Sequence, residues 1–429
     1  MRQASLTLAL VSFAVTGVLV SACGDVEKIS PEKQTDVVQT EKKKESATAT
    51  PTANSTGTVV PKSVQTPMTG EATSDSKILD AVAVSSGSNH TCAVLGTGGL
   101  KCWGNNDTGQ LGDNSKSDRL LPVAIVGLST SVKAVSTGHS HSCALLSTGG
   151  VKCWGWNYYG QLGDSTSTDR LTPVDVTGLS SGVSGISTSE YGTCALMSTG
   201  AVKCWGFSSK PDLPSQPQNS QATKQLTPTG VPLLSIGVTA ISSGSSHTCA
   251  LMDTGGVKCW GYNLHGQLGD NSTSERLTPV DVVGLSSGVT AISAGSSHTC
   301  AVMATGGLKC WGLRNDSQIL LTPVDVPDVP SGVTAVSAGQ SYNCILLNTG
   351  SVKCWGHYGN GRVQGASTNG ITPVDMHGLS SGVADVSVGS AHSCALLNTG
   401  RIKCWGYNGD GQVGDGSTSN TLIPVDVGK

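Results

Sequence analysis

Seven pairs of cysteines, each with nine residues between its partners, constrain this chain more than any other feature: Cys92 with Cys102, Cys143 with Cys153, Cys194 with Cys204, Cys249 with Cys259, Cys300 with Cys310, Cys344 with Cys354 and Cys394 with Cys404. Each pair brackets a hairpin signal, as in the run from Cys143 to Cys153 with Thr-Gly near its centre. A three-residue turn at Ser147 to Gly149 sets Cys143 across from Cys153. Opposed residues of an antiparallel pair have Cα atoms about 4.5 to 5.5 Å apart, within disulfide reach. The spacing therefore predicts seven cross-strand disulfides. Metal sites or reduced core thiols are the alternative, but zinc sites use closely spaced cysteines with a second pair, which this chain lacks. Seven disulfides belong outside a reducing cytosol.

First cysteines of successive pairs are separated by 51, 51, 55, 51, 44 and 50 residues, so residues 78–429 divide into seven units. One unit runs Val289 to Gly295, then His298-Thr-Cys300, then Lys309-Cys310-Trp311-Gly312, and closes on Leu321 to Val326. That is four short strands, A to D, separated by Gly, Ser and Asn turns. Units of this length predict an all-β fold: a seven-bladed β-propeller of four-stranded antiparallel blades, preceded by a disordered tether. Val84, Val135, Ile186, Ile241, Ile292, Val336 and Val386 share one strand A position. Gly follows three residues later in six copies, with Ser189 the exception, as crowding near an axis requires. Lys-Cys-Trp-Gly occurs in all seven units and places Trp103, Trp154, Trp205, Trp260, Trp311, Trp355 and Trp405 as inter-blade packing. The units begin with strand A and end with strand D, so a shared closing blade is not evident.

Composition agrees. The 429 residues carry 26 Lys+Arg, 29 Asp+Glu and a net charge of −3, which excludes nucleic-acid binding driven by bulk charge. Aromatics are 4% and Gly numbers 56, a profile of small-residue β structure and not of a helical bundle.

Trp-Gly-x-Asn-x-x-Gly-Gln-Leu-Gly at Trp103 to Gly112, Trp154 to Gly163 and Trp260 to Gly269, with Gly-x-x-His before strand B, resembles the regulator of chromosome condensation repeat. The resemblance covers all seven units and implies a seven-bladed propeller. Paired cysteines depart from the eukaryotic nuclear members and fit an exported, bacterial setting.

The N-terminus has the same implication. Arg2 precedes an uncharged, mostly apolar stretch from Ala4 to Ala22, ending Val20-Ser21-Ala22-Cys23, which resembles a bacterial lipoprotein signal with its lipobox. That resemblance implies cleavage before Cys23 and lipidation of its thiol, hence anchoring in a membrane. An ordinary cleaved signal or an uncleaved anchor remains open. Asp25 is one place late for the usual inner-membrane retention residue, which favours the outer membrane or the cell surface. Residues 24 to 77 are rich in Lys, Glu, Ser, Thr and Pro and read as a linker unable to bury a core. The expected organisation is therefore 1–22 signal peptide, 23–77 lipidated Cys23 and linker, 78–429 propeller.

No nucleophile elbow, His-Glu-x-x-His pair or phosphate loop is evident, so no catalytic residue, metal or cofactor is assigned and enzymatic activity lacks support. His90, His141, His247, His298 and His392 stand two residues before the first cysteine, with Gly192 and Tyr342 interrupting the series, and read as structural. Asp113, Asp164, Asp270 and Asp415 read as turn formers and not as calcium ligands. The repeats disagree most at the A–B and C–D connections, which lie on one face of a propeller. There the candidate binding residues are Trp156, Tyr158, Tyr159, Glu190, Tyr191, Tyr342, Asn343, His357, Tyr358 and Arg362. Repeat decay accounts for the same differences equally well. The function expected is a non-catalytic envelope lipoprotein, monomeric, binding a protein or polysaccharide at the cell surface. Alternatives are a β-lactamase-inhibitor-like propeller, a carbohydrate-active one and a guanine-nucleotide exchange factor, the last disfavoured by export.

Overall fold

A computed structural model describes residues 79–207, 224–329, 331–358, 361–362 and 370–429. Cys23 and the linker lie outside them, as does most of the Pro/Gln-rich connection of unit three. The fold is an all-β, seven-bladed propeller whose blades are antiparallel sheets in the order A-B-C-D. Blade 2 is representative: strand A is Val132–Thr137, B is His141–Leu146, C is Val151–Gly155 and D is Arg170–Asp175. Among the described residues of blade 6, strand C (Val352–Tyr358) pairs with two short segments, Gly361–Arg362 and Val374–Asp375.

Strands B and C explain the cysteine spacing. Cys143 stands directly opposite Cys153 in the register of blade 2. The same register sets Cys92 against Cys102, Cys194 against Cys204 and Cys249 against Cys259. It also sets Cys300 against Cys310, Cys344 against Cys354 and Cys394 against Cys404. All seven disulfides form between these partners, at Cα separations of 4.0 to 4.1 Å, closer than the spacing expected for an average opposed pair. Most of these cysteines are fully buried, Cys102, Cys259, Cys354 and Cys404 among them, and each bridge fastens two middle strands of a blade within its apolar layer.

Strand A of each blade is innermost. A Cβ built on Gly138 would lie 2.5 Å from the Ser189 carbonyl oxygen of the next blade and 2.6 Å from His141 Cε1, which is why the position takes glycine. In unit three Ser189 is accommodated because its Oγ is held by the backbone of Gly192. Gly138→Ala is expected to destabilise the propeller by about 2 to 3 kcal/mol, since the Ser189 backbone and the buried His141 ring must both shift. Urea denaturation checks this, and an unchanged midpoint would remove the crowding explanation.

The ring closes directly between blades 7 and 1, without a shared blade. Trp103 Nε1 donates to the Gln412 carbonyl at 3.0 Å, and Thr91 Oγ1 lies 2.7 Å from His392 Nε2. Each Trp of the Lys-Cys-Trp-Gly motif packs against the preceding blade: Trp154 belongs to a core cluster with Val94, Leu100 and Leu111.

Candidate functional site

The interfaces share one polar device. In four of them the Gly-Gln-Leu-Gly loop, or Gly-Gln-Val-Gly in unit seven, reaches over the next blade and presents the Gln carbonyl to two donors. Gln110 O accepts from Trp154 Nε1 at 2.9 Å and from Ser142 Oγ at 2.9 Å. Gln161, Gln267 and Gln412 do the same for Trp205 and Thr193, Trp311 and Thr299, Trp103 and Thr91. The following Leu111, Leu162, Leu268 or Val413 is fully buried beneath the loop.

The histidine column completes the device. Because the Ser142 hydroxyl proton goes to Gln110 O, its oxygen is left to accept from His90 Nε2–H at 2.8 Å. His141, His247 and His392 bond Thr193, Thr299 and Thr91 in the same way, and His298 bonds Asn343 Oδ1. Burial lowers His90, His141, His247 and His392 to about 3, so all four are neutral donors at ordinary pH. Among the described residues, no group of three or more His, Cys, Asp or Glu side chains is arranged to hold a metal ion.

The loop aspartates are tied down. Asp164 Oδ1 accepts from the Thr166 amide and hydroxyl and from Asn157 Nδ2, while Oδ2 pairs with Arg170 at 2.7 Å. Partial burial pushes its carboxyl up, and the bonds from Thr166 and Arg170 more than reverse this, leaving it below the ordinary carboxylate range. Asp113 and Asp270 sit in the same arrangement.

Among the predicted binding residues whose side chains can be placed, the structure makes a sharp division between the A–B and C–D face and the interfaces below it. Trp156, Tyr158, Tyr159 and Tyr191 form one aromatic cluster across blades 2 and 3. Trp156 and Tyr158 are nearly parallel, at 11° and 6.4 Å. Tyr159 stands edge-on to Trp156 at 5.5 Å and to Tyr191 at 5.4 Å. Phe207 joins at 5.1 Å from Tyr159, and Lys224 Nζ lies 3.7 Å above the Tyr158 ring. Tyr158 is 54% exposed. The neighbouring Glu190 carboxylate, which takes the Tyr191 hydroxyl proton in a hydrogen bond, holds that phenol up at about 12.

Tyr342 and Asn343 do not belong to this surface, contrary to the expectation from sequence. Both are buried: Tyr342 occupies the histidine position of blade 6, where its hydroxyl accepts from Trp405 Nε1 at 3.2 Å and contacts Met376 Sδ. It substitutes for the Gln carbonyl that unit six lacks. His357, Tyr358 and Arg362 lie on paired segments in blade 6, and their side chains are outside the described residues. Sequence reasoning did not single out Phe207 or Lys224 as binding residues, and it read Trp260 only as inter-blade packing.

Trp260 matters because the interface between blades 3 and 4 lacks both parts of the device. Unit three has neither the Gly-Gln-Leu-Gly loop nor the histidine, whose place Gly192 takes. A cleft of roughly 340 Å³ opens there, lined by Tyr191, Gly192, Phe207, His247, Thr248 and Trp260 among others, and it adjoins the aromatic cluster. Its volume is in the range of small-ligand sites.

Comparison with known proteins follows the blades. The Regulator of chromosome condensation (RCC1) repeat matches residues 81–110, 132–161, 238–267, 289–318, 333–362 and 383–412, and in a second form 98–145, 148–196 and 254–302. The ultraviolet-B receptor UVR8 of Arabidopsis thaliana is 32% identical over 242 residues, 55% of this chain and 54% of the receptor. The probable E3 ubiquitin-protein ligase HERC6 of Homo sapiens is 34% identical over 234 residues, 52% of this chain and 22% of the ligase. The chain thus spans about half of the first relative and about a fifth of the second. Yeast RCC1 (Prp20), solved bound to Kap60, superposes with a TM-score of 0.66 at 21% identity, covering 86% of this chain and 91% of that one. Human WBSCR16 gives 0.67 at 21%, over 77% and 93%. Both share the fold.

Proposed function

Because this chain belongs to the regulator of chromosome condensation repeat family, we propose that it is a non-catalytic binding propeller of the exported, bacterial type, engaging a protein partner through the A–B and C–D face of blades 2 to 4. The observation that carries this is the cluster of Trp156, Tyr158, Tyr159, Tyr191 and Phe207, half-exposed and concentrated where the repeats diverge. Aromatic anchors bury large areas at low entropic cost, so such a cluster suits recognition. Yeast RCC1 (Prp20), which shares this fold, is itself solved bound to another protein, Kap60.

In this proposal residues 1–22 are a lipoprotein signal, Cys23 is the lipidated anchor, residues 23–77 are the linker and 78–429 the monomeric propeller, held at the outer membrane or cell surface. The seven disulfides support an oxidising compartment. A stacked Trp156 and Tyr158 also suits a sugar ring, which makes polysaccharide binding the second reading.

The test is capture from envelope fractions of the source organism by the full chain, beside a triple variant Trp156→Ala, Tyr159→Ala, Tyr191→Ala with native circular dichroism. Loss of at least about 30-fold in partner retention is expected, the size of a hot-spot contribution. Equal retention would remove this face, and an intact mass of the purified chain reads the lipid on Cys23 in the same preparation.

A further inference from the structure

Seven copies of one interface in a single chain allow each to serve as a control for the others. In four interfaces the Gln carbonyl of one blade receives the indole N–H and the Ser or Thr hydroxyl of the next. Three units lack that loop. After unit six, Tyr342 fills the gap with its own hydroxyl. After unit five, the short connection packs inward, Asn315 Nδ2 donating to the Ser341 carbonyl at 2.9 Å, and a cavity of only about 40 Å³ is left. After unit three the described residues leave the gap open.

The two donors at that gap are consequently unlike their equivalents. Among the described residues the Trp260 indole N–H has no acceptor, and the ring is only partly buried, whereas Trp103, Trp154 and Trp311 are fully buried and bonded. Thr248 Oγ1 has neither a histidine nor a Gln carbonyl and turns instead to Ser243 Oγ at 3.3 Å, a long bond. Strand A of blade 4 stays docked, since Ser243 N donates to Ser187 Oγ at 2.9 Å. Among the described residues the cleft is therefore a local vacancy in an otherwise intact interface, and its walls still carry the complement of a known shape.

We propose that the cleft between blades 3 and 4 binds a peptide turn of another protein, one that presents an outward carbonyl with an aliphatic side chain behind it, as Gly-Gln-Leu-Gly does within this chain. The carbonyl receives Trp260 Nε1–H and Thr248 Oγ1–H, and the aliphatic group enters the space that Leu111, Leu162 and Leu268 occupy elsewhere. The proposal rests on the binding function above and deepens it by naming the chemistry of the partner segment. It predicts specificity for an intermolecular copy of the chain's own interface. With the cleft empty the indole N–H faces solvent and the Thr248 hydroxyl keeps only a long bond, and a fitted carbonyl receives both donors at once.

The probe is a cyclic peptide containing Gly-Gln-Leu-Gly, with Gly-Gln-Asp-Gly as control, added to the full chain labelled with nitrogen-15. The readout is the indole N–H resonances, that of Trp260 assigned through Trp260→Phe. In the free chain Trp260 is expected to exchange with solvent about 100-fold faster than Trp154, because its donor lacks a partner. The peptide should shift and protect that resonance saturably, the control should not, and Thr248→Val should weaken binding about 5- to 10-fold. A double variant Trp156→Ala, Tyr158→Ala, which alters the exposed aromatic surface at residues that do not line the cleft, should bind this short peptide unchanged, and this separates failure of this inference from failure of the surface reading. Slow exchange at Trp260 without peptide would show the cleft filled by the chain itself and overturn the proposal. So would an unmoved resonance at millimolar peptide, or a response to soluble oligosaccharide in its place.

Discussion

Reduced and denatured, this propeller is expected not to regain its structure at 25 °C when the denaturant is removed under reducing conditions, while the oxidised chain refolds. Each disulfide closes a loop of about ten residues, which in a chain-entropy treatment stabilises by roughly 2.5 to 3 kcal/mol. Seven such constraints, even if far from additive, rival the about 5 to 15 kcal/mol by which a domain is stable. Little else in the blades is positioned to compensate, since aromatic residues are 4% of the chain and the seven motif tryptophans are already committed to the interfaces. Burial also fixes the order of attack. Most of the bridging cysteines are inaccessible, with Cys102, Cys259, Cys354 and Cys404 fully buried; Cys310 is partly buried but its partner Cys300 is fully buried, whereas Cys194 is 6% exposed, Cys204 is partly buried, and both line the open cleft. Under limiting reductant in the native state, alkylation followed by peptide mass mapping should label Cys194 and Cys204 first. A reduced chain that keeps native circular dichroism, or labelling spread evenly over seven pairs, would contradict the account.

The blades, the bridges and the packing role of the tryptophans were legible in the sequence because each is a periodic constraint repeated seven times. Cys143 and Cys153 could be set opposite one another from turn length alone, and the glycine at position 138 announced a close approach whose partner, the Ser189 carbonyl, only the ring reveals. The candidate site was half legible. Trp156, Tyr158, Tyr159 and Tyr191 were found as aromatic departures from the repeat, and three dimensions joined them to Phe207. Tyr342 was misplaced although its column was known. It stands where His90 and His141 stand, in a strand register that points into the next blade, so its hydroxyl serves an interface and not a surface. Trp260 carried no signal of its own. What set it apart was a missing carbonyl from another unit, and a sequence shows that a loop is absent without showing which donor depended on it.

Acid should unfold the protein cooperatively well above the pH at which its carboxylates protonate. His90, His141, His247 and His392 fall to about 3 in the fold because burial excludes the charged form, and burial lowers His298 as well. In the unfolded chain a histidine takes up its proton near 6.5. Between these two values the unfolded state binds more protons than the folded one, so stability is complete above pH 6.5 and declines as pH falls towards 3. At pH 4.5 each of the four groups contributes a loss of about 2.7 kcal/mol, and together about 11 kcal/mol, as large as the stability of a typical domain. The depressed carboxyls of Asp113, Asp164 and Asp270 act in the same direction but only at lower pH, where their ion pairs with Arg119, Arg170 and Arg276 are lost. Urea titrations from pH 7.5 to 4 should therefore show unfolding free energy dropping with a slope that approaches four or more protons, about 5 kcal/mol per pH unit. His141→Gln keeps a donor for the Thr193 hydroxyl, and should weaken the neutral-pH fold modestly while removing about one proton from that slope. A profile flat down to pH 4.5 would mean that the imidazoles accept protons without leaving the fold, and the hydrogen-bonded ring that joins five of the seven blades to their neighbours would need another explanation.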